Sequence, residues 1–95
     1  MSKLLIESAN AVRILKFNRP EKINAFDAEL WQLFADGLND ADQDASIKSV
    51  IVTGEGGNFS SGVDLESMVG EGGSDYERPF NNCIDALINF SKPLI

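Results

Sequence analysis

The sequence predicts an α/β fold, and three observations carry the prediction. Two short β-favouring runs open the chain, Leu4 to Glu7 and Val12 to Phe17. A strongly amphipathic helical segment follows from Asp27 onwards, and then a nearly all-apolar run, Ser49-Val50-Ile51-Val52-Thr53. Strands that alternate with helices in this way need to be layered against one another to bury their apolar faces.

The first two runs, separated by Ser8-Ala9-Asn10-Ala11, predict a hairpin. Pro20 ends the second strand because it cannot donate to a ladder, which leaves residues 18–25 (NRPEKINA) as a polar loop. Asp27 is placed to cap the helix, with Glu29 in the first turn where an acid suits the helix dipole. Phe26, Leu30, Leu33, Phe34, Leu38 and Ala41 recur at three- and four-residue spacing and form one apolar stripe. Gly37 weakens the helix interior by about 1 kcal/mol against Ala and predicts close approach of another backbone. The 49–53 run has the composition of a strand buried on both faces. A new helix is expected to begin near Asp64, and residues 69–75 (VGEGGSD) to form a loop. A second long helix is expected from Pro79, a good first helical residue, to about Asn89, with Phe80, Ile84, Leu87 and Ile88 facing the core. Leu94-Ile95 starts a further strand with no partner of its own. The chain therefore reads as part of a domain, with residues 1–95 forming its N-terminal portion.

Composition excludes several kinds of chemistry. The 95 residues contain no histidine, so no His-dependent triad or imidazole metal site can be built. Cys83 is the single cysteine, which removes internal disulfides and cysteine zinc sites and fits a reducing, cytoplasmic setting. Fifteen acids against eight bases give a net charge of −7, which argues against nucleic acid as a partner. No apolar stretch approaches the roughly 20 residues of a membrane helix.

Gly54-Glu55-Gly56-Gly57 and Gly70-Glu71-Gly72-Gly73 match neither a P-loop nor a dinucleotide fingerprint and read as turns. The segment Phe59-Ser60-Ser61-Gly62-Val63-Asp64-Leu65 is more informative. Gly62 permits a positive φ or close approach of a ligand, and the free N–H groups from Val63 onwards would make an anion site at a helix start. The alternative is an ordinary turn capped by Asp64. Lys22 is either a phosphate contact or a solvated loop lysine. Glu66, Asp75, Glu77 and Asp85 could each serve as a general base, but without visible partners they read first as solvated charges.

Asn18-Arg19-Pro20-Glu21-Lys22-Ile23-Asn24-Ala25, Ala41-Asp42-Gln43-Asp44, Ser49 to Gly54, Phe59 to Leu65 and Lys92-Pro93-Leu94-Ile95, in that order and spacing, resemble the crotonase family, the enoyl-CoA hydratase/isomerase superfamily. The resemblance implies a crotonase-like spiral of ββα units and subunits assembled as homotrimers or hexamers. It implies an acyl-CoA thioester substrate, with no cofactor beyond the CoA that the substrate carries. It also implies an oxyanion hole of two backbone N–H groups, the first of which maps onto Val63. Such a donor contributes roughly 3–4 kcal/mol to stabilising an enolate. Ser61, Gly62, Asp64 and Leu65 map onto the surrounding CoA-binding turn, and Lys22 and Ala25 onto the loop that meets the nucleotide end of CoA.

In the family, Lys-Pro-Leu-Ile leads into the turn that supplies the second donor, and in hydratases two catalytic glutamates follow. None of these lies within residues 1–95. A β-oxidation-type hydratase is the favoured reading. A Δ3,Δ2-enoyl-CoA isomerase and a non-catalytic CoA-binding scaffold are the alternatives. The 95 residues alone are expected to be inactive.

Overall fold

The computed structural model describes residues 2–62 and 73–95. Strands β1 (Leu4–Ala9) and β2 (Val12–Phe17) form the expected hairpin, with a connection shorter than the sequence suggested. Ala9 pairs with Val12, and only Asn10 and Ala11 turn the chain, both at positive φ (52° and 72°). Two consecutive left-handed residues match the right-handed twist of the flanking strands, which lets β1 run two residues beyond the expected Glu7.

Helix α1 (Ala28–Gln43) begins where Asp27 caps it, its side chain accepting the Leu30 N–H at 2.9 Å. The chain then returns through β3 (Ser49–Gly54), which pairs in parallel with β2, giving the sheet order β1-β2-β3. The segment 93–95 is not an orphan. It lies along the other side of β3, with Val50 N–H to Pro93 O at 3.0 Å, Ile95 N–H to Val50 O at 2.9 Å and Val52 N–H to Ile95 O at 2.8 Å.

The core lies between the sheet and α1. Leu4, Leu15, Phe17 and Val50 from the strands meet Leu30, Phe34, Leu38 and Ala41 from the helix. Gly37 faces side chains rather than another backbone, since a Cβ there would meet the Leu15 and Leu4 Cδ2 atoms at 3.3 and 3.4 Å. Along β2, Arg13, Leu15 and Phe17 alternate inward. Arg13 is tolerated there because it reaches Asp40 at 2.9 Å and Asp44 at 3.2 Å, beside the C-terminus of α1. No basic residue lies in the last turn of α1. Lys92 supplies the missing positive charge from outside, donating to the Ala41 and Asp44 carbonyls at 2.6 and 2.7 Å.

The second long helix, α2 (Gly73–Asn89), starts six residues before the expected Pro79. Pro79 is therefore interior, where it removes one helical hydrogen bond. Residues 73–75, expected in a loop, are helical, and the expected helix start at Asp64 lies outside the described residues. The inward face of α2 carries Cys83 and Ala86, with Leu87 packed beside them. Ile88, expected in the core, points outward at 74% exposure, because the buried stripe is centred on the smaller Cys83 and Ala86.

Candidate active site

Two loops meet at the end of the sheet where β2 and β3 finish. The first runs from Arg19 to Phe26 and contains a single 3-10 turn, Pro20–Lys22. Ile23 and Asn24 follow with φ of 52° and 54°. A β-branched residue in this region is strained by about 1–3 kcal/mol, so the surrounding bonds have to hold it. The second loop runs from Glu55 through Gly56 and Gly57, both at positive φ, to Gly62 at φ 104°. A Cβ at Gly62 would touch none of the described residues within 4 Å, and the positive φ itself calls for glycine there.

The loops are stitched together. Ser61 N–H donates to Ile23 O at 2.9 Å and Phe26 N–H to Gly62 O at 2.7 Å. Ser60 Oγ donates to Asn24 O at 2.7 Å. The Asn24 side chain donates to Glu55 O and Asn58 O at 2.9 and 2.8 Å. Arg19 closes the first loop by donating to Ala25 O at 2.6 Å and lies 3.8 Å from Asp27.

Asp27 joins this loop to α1. Burial alone would raise its pKa. The Lys3 hydrogen bond at 2.6 Å, the Leu30 N–H and the nearby Arg19 and Lys3 charges outweigh burial and hold the carboxyl below its ordinary value. The same Asp27 bond, with a second to Glu29, raises Lys3.

An apolar cleft of about 340 Å³ opens beside the Gly62 turn, lined by Phe17, Phe26, Trp31, Phe34, Phe59 and Leu87 among others. Its walls are aromatic edges, with Phe17 T-shaped to Phe26 at 4.6 Å and to Phe59 at 5.2 Å. A second cleft of about 330 Å³ shares Phe34, Phe59 and Leu87 with it and extends to Leu94 and Ile95.

Of the residues singled out from sequence, Lys22 is exposed on the first loop and Ala25 is buried beneath it. Ser61 and Gly62 are exposed on the second loop and stand directly against the first. Val63, Asp64 and Leu65 lie outside the described residues. Asn24, Ser60 and the aromatic wall were not anticipated from sequence. Asn24 and Ser60 lie inside the two motifs quoted above, but the partners that give them their roles across the loops are more than thirty residues away. No group of three His, Cys, Asp or Glu side chains suited to a metal occurs among the described residues. No helix among them is long and apolar enough to cross a membrane.

Residues 7–95 match the enoyl-CoA hydratase/isomerase family, and the chain belongs to it. It is 35% identical over 100 residues to human enoyl-CoA delta isomerase 2, with 97% of this chain and 25% of that protein covered. It is 29% identical over 102 residues to 1,2-epoxyphenylacetyl-CoA isomerase of Escherichia coli, with 100% of this chain and 39% of that protein covered. Among solved structures, an enoyl-CoA hydratase from Mycobacterium marinum superposes with a TM-score of 0.89 at 39% identity, over 98% of this chain and 46% of that one. The fold is accordingly the crotonase-type α/β fold. The chain spans between a quarter and just under half of the length of these relatives.

Proposed function

We propose that this chain carries the acyl-CoA-binding half of an enoyl-CoA hydratase site. The observation that supports this best is the Gly62 turn, held at φ 104° against the Lys22 loop and opening onto the aromatic cleft. In this reading the N–H of Val63 receives the thioester oxygen as the α-carbon is deprotonated. A fixed donor acts there because it needs no reorganisation when charge develops. Ser61, Gly62, Asp64 and Leu65 shape the turn around the thioester. Lys22 and Ala25 border the nucleotide end of CoA, and the apolar cleft takes the acyl portion. The substrate brings its own CoA and no further cofactor is used.

Residues 1–95 act as the N-terminal part of a longer domain that assembles as a trimer or hexamer in the cytoplasm, with neither nucleic acid nor membrane as partner. Hydration also needs a base for water and an acid for the α-carbon. In the family these two carboxylates follow the segment that matches Lys92 to Ile95, outside residues 1–95. This chain alone therefore binds the thioester without turning it over.

A second reading is an enoyl-CoA isomerase, favoured by the 35% identity to human enoyl-CoA delta isomerase 2. Titrating the purified chain with crotonyl-CoA tests the binding claim. Saturable binding without hydration above background is the expected result, and absence of binding overturns it. In the longer protein, hydration of a 2-enoyl thioester supports the hydratase, and conversion of a 3-enoyl to a 2-enoyl thioester supports the isomerase.

A further inference from the structure

Asn24 is a large polar side chain with no exposed surface at all, placed between the two loops that build the site. Its Oδ1 accepts the Arg19 N–H at 2.8 Å, and its Nδ2 hydrogens go to two carbonyls of the other loop, Glu55 O and Asn58 O. Only a side chain with one acceptor and two donors satisfies all three positions. An apolar replacement would leave the two part-buried carbonyls without this donor, and a carboxylate would set negative charge against them.

The Asn24 backbone continues the network. Its carbonyl accepts Ser60 Oγ–H at 2.7 Å, and the same Oγ accepts the Gly62 N–H at 3.0 Å. A continuous path of hydrogen bonds thus runs from Arg19, just after β2, through Asn24 and Ser60 to the backbone of Gly62. Asn24 reaches no solvent and so touches no ligand.

We propose that Asn24 and Ser60 are positioning residues for the acyl-thioester site, fixing the conformation of the Gly62 turn. This rests on the acyl-thioester reading above. Thioester affinity then depends on two residues of which one is sealed away from the ligand. Ser60 also lines the cleft, which leaves room for a threonine methyl there.

The test uses Ser60→Ala, Ser60→Thr and Asn24→Asp, each with two readouts. Amide hydrogen exchange is followed at Ser61 and Phe26, whose own partners are not mutated, against Leu38 in α1 as reference. Affinity for crotonyl-CoA is measured by calorimetry on the same samples. Ser60→Ala and Asn24→Asp are expected to speed exchange at Ser61 and Phe26 roughly tenfold with Leu38 unchanged, and to weaken crotonyl-CoA roughly tenfold. Ser60→Thr is expected to restore both. If Asn24→Asp does not fold, the Ser60 pair decides alone. If the unaltered chain binds no crotonyl-CoA, the acyl-thioester reading fails and the exchange pattern still decides the positioning. Unchanged exchange at the turn, an equal rise at Leu38, or no rescue by threonine would overturn the proposal.

Discussion

The Phe26 N–H donates to the Gly62 carbonyl oxygen at 2.7 Å. Phe26 immediately precedes the Asp27 cap of α1 and packs edge-on against Phe17 of β2. The Gly62 turn is therefore referenced to the helix and to the sheet through one backbone group. Strain at Ile23 and Asn24 is tolerated on the same ground, because loop, helix start and turn constrain one another.

Gly54 lies where β3 delivers the chain into the second loop. A Cβ there would fall 2.1 Å from Asn58 O, 2.6 Å from Phe59 O and 2.8 Å from Asn24 Nδ2. The two shortest contacts are to backbone, so relief requires moving the loop. Gly54→Ala is expected to destabilise the chain by about 1–3 kcal/mol, read as a fall in the urea midpoint. An unchanged midpoint would mean that the loop is free to shift.

Much of this architecture was legible locally. Asp27 and the stripe from Leu30 to Ala41 specify α1 because cap and periodicity agree over four turns. Ala35 was missed because a small residue adds little to an apolar pattern, yet it is fully buried. The start of α2 was misread because Pro79 resembles a first helical residue, whereas the helix accommodates it internally. Ile88 was misassigned because its spacing from Ile84 fits a helical stripe, while packing against α1 rotated that stripe onto Cys83 and Ala86. In the site, Lys22, Ser61 and Gly62 were marked by their motifs. Asn24 was not, since its two side-chain acceptors lie 31 and 34 residues away.

The hairpin turn carries a removable cost. Ala11 sits at φ 72°, in the left-handed region where a Cβ is disfavoured. Ala11→Gly relieves that strain at some expense in unfolded-chain entropy. A net gain of about 0.5–1 kcal/mol in denaturant unfolding is expected, and a loss would contradict the left-handed geometry.

Asp27 links stability to acid pH. Its folded pKa lies below the ordinary 3.8. Its contribution is therefore fully present above that value and is lost as the pH falls through the lower, folded one. Asn at this position keeps the helix cap but removes the charge that meets Lys3 and Arg19. Asp27→Asn is expected to lower stability at neutral pH by roughly 1 kcal/mol and to flatten its decline below about pH 4. An unchanged acid limb in pH-dependent unfolding would count against the ion pairs.

Cys83 behaves in the opposite sense. Burial pushes its thiol from 9.0 up to about 12. The folded chain stays protonated while the unfolded chain ionises, so stability falls as the pH rises past 9.0 towards about 12. At about pH 8 the folded thiol is therefore far less ionised than a free one. Iodoacetamide is expected to label it slowly in the native chain and readily in urea. Rapid native labelling would show that the face between α1 and α2 opens.

The central claim is that the backbone N–H of Val63, and not its side chain, receives the thioester oxygen. Crotonyl-CoA affinity compared between Val63→Pro and Val63→Ala tests this most directly, because proline deletes the donor while alanine keeps it. The expected result is a loss of at least tenfold for Val63→Pro with Val63→Ala near the unaltered chain. Equal losses from both substitutions, or none from proline, would contradict it.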